Sequence, residues 1–300
     1  MKMTRRGAFL LGAVPLLAQS RPKIAITMDD VRWQIIPEDR RAEAEARLLG
    51  HLGKKRAILF AVGQHVDNEH GSTILKSWSA AGHLIGNHTY DHQALFGKTT
   101  PEEFEQGILR NDELLRKYAG FRKWFRFPAL KEGRTPELRD RFRSFLAFHG
   151  YRNGAVTVDA SDWYYDQRLI ARIKADRRFD VTLFRQPYLD HIWNRAQFYD
   201  QLSRDVLRRS VPHTLLIHYN LLNSLFLADL LAMFRSKGWN IIGADEAFSD
   251  NLFDRQPDTA PAGESLIWAL AKETGKFADR LRYPGEDDTY EKPILDQLGL

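Results

Sequence analysis

The segment KIAITMDD (residues 23–30) is a short apolar run that ends in two adjacent carboxylates. A continuous apolar run of this length is typical of a strand buried in a sheet. Similar runs recur along the chain, and segments with helical periodicity separate them. This alternation predicts a mostly parallel sheet, in which the carboxyl ends of the strands carry the functional site.

The same patterns predict the other elements. Strands are predicted at residues 23–28, 56–62, 84–86, 124–127, 153–158, 213–218 and 239–243. Helices are predicted at residues 39–53, 72–81, 101–118, 136–150, 166–176, 194–209 and 222–236. Thr100 and Thr135 each precede a proline and are predicted N-caps, whereas Ser72 or Gly71 is the predicted cap of the helix over 72–81.

Polar side chains follow five of the predicted strands. They are Asp29 with Asp30, His88 with His92, Arg126, Asp162 with Trp163, and His218. Five strand ends that converge on one pocket favour a barrel over an open sheet.

A metal site is indicated by two histidines four residues apart in GNHTYDH (residues 86–92) and by the Asp29-Asp30 pair. Two imidazoles and a carboxylate form a ligand set that zinc takes readily, with one position open for water. One carboxylate remains, and a carboxylate beside a metal-activated water is what a hydrolase needs.

Composition excludes several other kinds of protein. The chain has 300 residues, of which 43% are hydrophobic, so it can form one large α/β domain or two smaller ones. It has no cysteine, which excludes thiolate chemistry, disulfides and cysteine-ligated zinc. Beyond residue 20 no apolar run approaches the length of a membrane span.

Residues 1–20 are predicted to be a signal peptide. A basic start is followed by a short apolar stretch at 8–18 and by the small residues Ala18 and Ser20, at −3 and −1 of a cleavage site. Arg5-Arg6 resembles a twin-arginine signal, although an ordinary secretory signal stays open. We therefore expect a periplasmic or extracellular protein. Cleavage removes three basic residues and no acid, which lowers the formal charge from +5 to +2 and argues against a nucleic-acid partner.

The remaining chain is predicted to contain a barrel domain over residues 21–249 and a C-terminal extension over residues 250–300. The extension is polar and contains several prolines. Its one amphipathic stretch, from Glu264 to Phe277, is predicted to be a helix that packs on the outside of the barrel.

Five short motifs occur in order: TMDD (27–30), HTYDH (88–92), RFP (126–128), DASDW (159–163) and LIH (216–218). They resemble the motifs of the NodB-homology polysaccharide deacetylases, carbohydrate esterase family 4, over about residues 23–243. The resemblance implies an α/β fold, a distorted (β/α) barrel with mostly parallel strands. It also implies a hydrolase that uses Zn²⁺ or another divalent metal on an acetylated polysaccharide or oligosaccharide.

The resemblance implies roles for individual residues. Asp29 would be the general base, and Asp30 would hold the metal with His88 and His92. His218 would protonate the leaving amine or alcohol.

Further residues would support these groups. Arg126 would pair with Asp29, and Asp162 would orient Arg126. The backbone N–H of Ala129 would help to hold the oxyanion, and Trp163 would pack over the His218 side of the pocket.

Substrate contacts are harder to assign. Sugar rings stack on aromatic side chains, so Trp163, Tyr90 and Tyr219 are predicted to line a carbohydrate groove. Family members often carry a larger residue where this chain has Ala129, which leaves the identity of the glycan open.

Two other functions stay open. A non-catalytic carbohydrate-binding protein could keep the fold, but binding alone needs no base or acid. A metal-dependent amidase on a non-sugar substrate could use the same metal ligands. The sequence also leaves open whether the acetyl group is N-linked or O-linked.

Overall fold

The computed structural model describes residues 21–93, 99–282 and 287–300. The predicted signal peptide, residues 1–20, lies outside the described residues. In these three ranges no helix is both long enough and apolar enough to cross a membrane.

Strands and helices alternate along the chain. The strands are β1 Lys23–Asp30, β2 Ile58–Ala61, β3 Leu84–Asn87, β4 Phe121–Phe125, β5 Lys131–Gly133, β6 Arg152–Asn153, β7 Pro212–His218, β8 Asn240–Ile241 and β9 Ala262–Gly263. The helices are α1 Arg41–Leu52, α2 Gly63–Val66, α3 Glu69–Ala80, α4 Pro101–Leu115, α5 Pro136–Phe148, α6 Asp162–Ala175, α7 Arg185–Leu207, α8 Leu221–Ser236, α9 Ala244–Phe248, α10 Leu266–Thr274 and α11 Lys292–Gln297.

The main sheet is parallel throughout. Its strand order is β6-β4-β3-β2-β1-β7, and β8 also pairs with β1. Asp29 on β1 lies in register with Phe60 on β2 and with His218 on β7. The polar ends of β1 and β7 are therefore side by side, as expected for parallel strands.

One irregular segment connects the two edges of the main sheet. Residues 152–153 pair with β4, whereas Val158 bridges to Leu215 on β7. The sheet is thus curled into a half-barrel, and the predicted mostly parallel α/β barrel architecture is confirmed. The predicted strand over 153–158 is reduced to two residues and one bridge, because the segment leaves one edge and crosses to the other.

The interior of the barrel is packed around Phe60, which is fully buried. A Cβ at Gly86 would lie 2.6 Å from the Phe60 ring, and one at Gly154 would overlap it. The Arg126 guanidinium lies over the same ring, 4.2 Å from its centroid. Two glycines thus make room for an aromatic ring that supports a buried cation.

Helix starts follow the predicted signals in two cases of three. Thr100 caps α4 in a full capping box with Glu103, and Thr135 caps α5. The prediction that Ser72 or Gly71 caps α3 is wrong, because Asn68 accepts from the Gly71 N–H and starts the helix earlier.

The C-terminal residues contact the barrel through backbone hydrogen bonds. β9 pairs antiparallel with β5, and the Glu264 N–H donates to the Leu130 carbonyl over 2.8 Å. The Leu266 N–H donates to the Val156 carbonyl over 2.7 Å. These bonds attach the C-terminal segment to the loops that follow β4 and β6.

Candidate active site

Three candidate metal ligands meet at the carboxyl ends of β1 and β3. One ligand atom from each of Asp30, His88 and His92 lies within 4.8 Å of the others. The Asp30 Oδ1 atom is 3.5 Å from His88 Nε2 and 3.3 Å from His92 Nε2.

The three side chains fit a divalent ion. Asp30 Oδ1 is buried and has no hydrogen-bond partner within the described residues, which is costly unless a cation lies beside it. His88 Nδ1 donates to the Arg126 carbonyl over 2.8 Å, which leaves the lone pair on Nε2 facing Asp30. Two imidazole nitrogens and one carboxylate oxygen suit Zn²⁺.

Protonation also favours metal binding. Burial by itself raises the pKa of Asp30, but the adjacent imidazoles of His88 and His92 lower that pKa well below its usual range. Burial lowers the pKa of His92 to about 4. At neutral pH the carboxylate is therefore ionised and the His92 imidazole neutral, which are the forms that bind a metal.

Asp29 is held by a buried arginine, as the sequence predicted. Arg126 Nη1 donates to both Asp29 oxygens, over 3.0 and 3.1 Å. Arg126 Nη2 donates to the Thr27 hydroxyl over 3.1 Å, and Nε donates to the Gly154 carbonyl over 2.5 Å. These hydrogen bonds fix the guanidinium in one orientation. Asp29 is therefore oriented by a side chain that is itself immobilised.

The predicted contact between Asp162 and Arg126 is wrong. Asp162 instead accepts from the His218 imidazole and from the His218 backbone N–H, each over 2.8 Å. Asn220 and Asn223 donate to the same carboxylate, over 3.0 and 2.7 Å. The reason is the start of α6 at Asp162, which directs this carboxylate to the end of β7 rather than to β4.

Asp162 controls the proton on His218. Burial favours the neutral imidazole, but the charge and hydrogen bond of Asp162 outweigh it and raise the pKa of His218 to about 10. His218 is therefore protonated near neutral pH, and its Nδ1 proton is engaged by Asp162. The positive charge of the His218 imidazolium therefore lies near Asp29 and the candidate ligand Asp30.

A cavity of about 590 Å³ collects most of the predicted residues. Its lining includes Asp29, Asp30, His88, His92, Ala129, Trp163 and His218. Arg126 and Asp162 are buried behind this lining and act on it through Asp29 and His218.

Two predicted substrate residues lie elsewhere. Tyr90 donates its hydroxyl to Asp67 over 2.9 Å, and the Arg110 guanidinium covers its ring at 3.3 Å. Tyr219 is buried and borders an adjacent groove instead of the cavity. Neither side chain lines the cavity, because one is engaged on the outside of α4 and the other is packed in the core.

The cavity also contains charged residues to which the sequence assigned no role. Lys131 and Glu264 form an ion pair at its wall, and Asp159 and Arg32 also line it. Glu264 comes from the C-terminal segment. A Cβ at the preceding Gly263 would overlap the Leu130 carbonyl oxygen, so this wall needs glycine there. In the sequence, the charged residues Lys131 and Glu132 after the third motif are the feature from which this wall could have been predicted.

Left-handed backbone conformations concentrate at the same cavity. Non-glycine residues with positive φ that line the cavity are Asp30 (80°), His92 (56°), Ala129 (49°), Leu130 (56°) and Glu264 (68°), and those next to a lining residue in the chain are Val31 (61°) and Thr89 (63°). Such conformations cost free energy and persist where the surrounding structure enforces them, commonly at functional sites. Strain at two candidate ligands and at the turn of the third motif therefore marks the cavity independently of its charges.

Comparison with known proteins agrees with this geometry. Residues 17–153 match the family described as polysaccharide deacetylase. Residues 17–153 belong to the polysaccharide deacetylase family. The resemblance inferred from the five motifs is thus confirmed at the level of the family.

A curated relative of this polysaccharide deacetylase domain is a peptidoglycan-N-acetylglucosamine deacetylase of Bacillus cereus. The two are 34% identical over 108 residues, which is 36% of this chain and 36% of the relative. The aligned part therefore spans only about a third of that relative's length.

Solved structures share the fold. Peptidoglycan deacetylase PdaC of Bacillus subtilis has a TM-score of 0.51 and 19% identity, covering 77% of this chain and 91% of its own. BA3943 of Bacillus anthracis, a pseudoenzyme of carbohydrate esterase family 4, has a TM-score of 0.50 and 18% identity, covering 76% of this chain and 66% of its own. Because a deacetylase and a pseudoenzyme share this fold, the fold alone does not make this polysaccharide deacetylase domain catalytic, and activity depends on its site residues.

Asp162→Asn is expected to lower the pKa of His218 from about 10 toward its ordinary 6.5, since only the charges of Asp30 and Asp29 then oppose the effect of burial. Because the pKa of His218 is raised in the folded protein, the interaction of its protonated imidazole with Asp162 stabilises the fold fully below pH 6.5. This contribution is lost as the pH rises toward 10. The stability difference between the two proteins should therefore be largest near pH 6 and shrink toward pH 10.

An NMR titration of the His218 imidazole in chelator-treated protein measures the pKa, and urea unfolding at several pH values measures stability. Asp176→Asn, at the other end of α6, is the control and should leave the pKa of His218 unchanged. An unchanged pKa in Asp162→Asn would show that Asp162 does not hold the proton.

Proposed function

We propose that this chain is a metal-dependent hydrolase that removes acetyl groups from a polysaccharide outside the cytoplasm. One observation carries the proposal: a carboxylate held by a cation, an imidazole held by a carboxylate and a set of candidate metal ligands border a single cavity. The basic and apolar pattern of residues 1–20 supports export.

Asp29 would accept the proton of the attacking water. Both of its oxygens accept hydrogen bonds from Arg126, which fixes the orientation of the carboxylate. Zn²⁺ bound by Asp30, His88 and His92 would acidify a water and polarise the acetyl carbonyl. Because Asp29 belongs to the same strand end as Asp30, the base lies directly beside the ligand set.

His218 would complete the reaction. Attack of water on the acetyl carbonyl gives a tetrahedral oxyanion, which the backbone N–H of Ala129 would help to hold. Collapse of that species breaks the bond to nitrogen or oxygen, and His218 donates a proton to the leaving amine or alcohol. The products are acetate and a deacetylated sugar, and the raised pKa of His218 keeps the required proton available.

The substrate would be an acetylated glycan. The cavity is open enough for a sugar ring, and Trp163 presents a partly exposed face at its His218 side. The name of the Bacillus cereus relative makes peptidoglycan one candidate, with chitin-type oligomers and acetylxylan beside it.

Acetate release from these three glycans tests the proposal. Zn²⁺-loaded protein should release acetate, and chelator-treated protein should release none until Zn²⁺ returns. His92→Gln should lose both metal stoichiometry and acetate release, because it removes one ligand of three. His51→Gln, on α1, is the control and should lose neither.

The other outcomes distinguish the alternatives. A bound metal without acetate release from any glycan would favour a carbohydrate-binding protein or a non-sugar amidase. Failure to bind a divalent metal would overturn the site itself.

A further inference from the structure

A groove of about 400 Å³ adjoins the cavity that contains the candidate metal ligands and lies between the loop after β1 and helix α6. The two spaces share Asp30, Arg32, Trp163 and His218 in their linings. We call this space the α6 groove. Its continuity with the cavity means that a chain-like substrate seated at the catalytic residues has an open path into it.

The α6 groove has an exposed apolar surface at both sides. Ile35, on the loop after β1, is 38% exposed, and Trp163, at the start of α6, is 39% exposed. Large apolar side chains exposed together and rimmed by polar groups are typical of binding surfaces. A flat indole beside an aliphatic side chain suits the C–H face of a sugar ring.

One face of α6 extends the groove away from the catalytic residues. Trp163, Gln167, Ile170 and Lys174 recur at helical spacing and all border it. From Trp163 to Lys174 the helix rises about 16 Å, at about 1.5 Å per residue. The groove is therefore long enough for an oligosaccharide rather than a single ring.

Two cations in the α6 groove are unpaired within the part of the chain that the structure describes. Arg32 and Lys174 are exposed, and within the described ranges neither forms an ion pair or a side-chain hydrogen bond. The acids that border the groove are engaged: Asp30 faces His88 and His92, and buried Asp166 accepts the Leu222 N–H over 2.8 Å. The accessible charge of this groove is therefore positive.

We propose that the α6 groove binds a carboxylate-bearing sugar adjacent to the acetylated sugar in the cavity. Arg32 would contact the carboxylate near the cavity, and Lys174 would contact the next one along the chain. The inference rests on the proposed function, and it narrows the substrate to anionic acetylated glycans. The carboxylate can belong to a uronic acid or to a lactyl ether on the ring, which present the same charge.

Matched oligosaccharides test the proposal with the full chain loaded with Zn²⁺. One pair is an N-acetylglucosamine–glucuronic acid tetrasaccharide and its methyl ester, and the other is an N-acetylglucosamine–N-acetylmuramic acid tetrasaccharide and its methyl ester. Calorimetric affinity and acetate release are measured for each, with a neutral N-acetylglucosamine tetramer beside them. Esterification removes the charge and leaves the ring chain intact.

At least one free acid should bind about tenfold more tightly than its ester, the size expected from two solvent-exposed charge pairs. This preference should weaken at high salt. Arg32→Gln with Lys174→Gln should abolish it while the neutral tetramer is bound as before. Lys54→Gln with Lys55→Gln, in the turn after α1, makes the same charge change elsewhere and should preserve the preference. The pair that shows the preference identifies the source of the carboxylate.

Equal affinity for acids and esters, with acetate still released, would overturn this inference and leave the proposed function standing. Absence of acetate release from every oligosaccharide would instead contradict the proposed function. A preference for acids that survives in Arg32→Gln with Lys174→Gln would place the carboxylate outside the α6 groove.

Discussion

Asp29→Asn is expected to reduce the rate of acetate release by about 10²–10⁴-fold, the usual contribution of a general base. An amide cannot take a proton from water, although its oxygen can still accept from Arg126. Metal content should stay near that of the unmodified protein, because Asp29 is not one of the candidate ligands Asp30, His88 and His92. Turnover and metal stoichiometry are measured on the same samples.

Asp254→Asn is a suitable control for this loss. Asp254 pairs with Arg152 at the surface, does not line the cavity, and has a side chain that is 67% exposed. It should keep full activity. Activity near the unmodified level in Asp29→Asn would mean that another group takes the proton.

Arg126→Met is expected to lower the free energy of unfolding by about 3–5 kcal/mol, as when one partner of a buried ion pair is removed. Asp29 would be left buried without its cation, and the Gly154 carbonyl would lose its donor. Methionine is long enough to cover the Phe60 ring, so packing accounts for little of the loss. Urea unfolding of chelator-treated protein measures the change.

Two further variants separate charge from packing. Arg122→Met, on the exposed side of the same strand β4, should change stability by less than about 0.5 kcal/mol. Asp29→Asn combined with Arg126→Met should recover part of the loss, because the buried charge is gone. A loss below about 1 kcal/mol in Arg126→Met alone would show that Asp29 does not need its partner.

Much of this fold could be predicted because its strands are short apolar runs with polar ends. β1 and β7 lie within two residues of their predicted bounds, and both end in the predicted polar residues. Parallel pairing then brings Asp29 and His218 into register without further information. The Asp29–Arg126 contact followed from the motif resemblance.

The side-chain contacts that were predicted wrongly depend on the directions in which the side chains point, which the sequence does not specify. Asp162 follows a strand in the sequence, but it is the first residue of α6, and the helix start sets its direction. Tyr90 follows Thr89, which has a left-handed backbone conformation, and the Tyr90 hydroxyl donates to Asp67. The assigned catalytic and metal-binding roles themselves stay predictions.

The pairing that forms the wall of Lys131 and Glu264 could not be predicted from the sequence, for a different reason. β5 and β9 have three and two residues, too few for any periodicity to appear. They are also far apart in the chain, and they meet through the close approach of Gly263 to the Leu130 carbonyl. A pairing of this kind is specified by shape, which becomes visible only in the folded chain.

The attachment of Glu264 to the cavity sets an order of events during synthesis. All three candidate metal ligands lie within the first 92 residues, so they leave the ribosome long before the wall opposite them exists. The barrel edges can meet only once β7 has emerged, and the cavity closes later still, when β9 joins β5. A nascent chain thus exposes its candidate metal ligands to the metal supply of the compartment in which it is made before it can form the complete cavity.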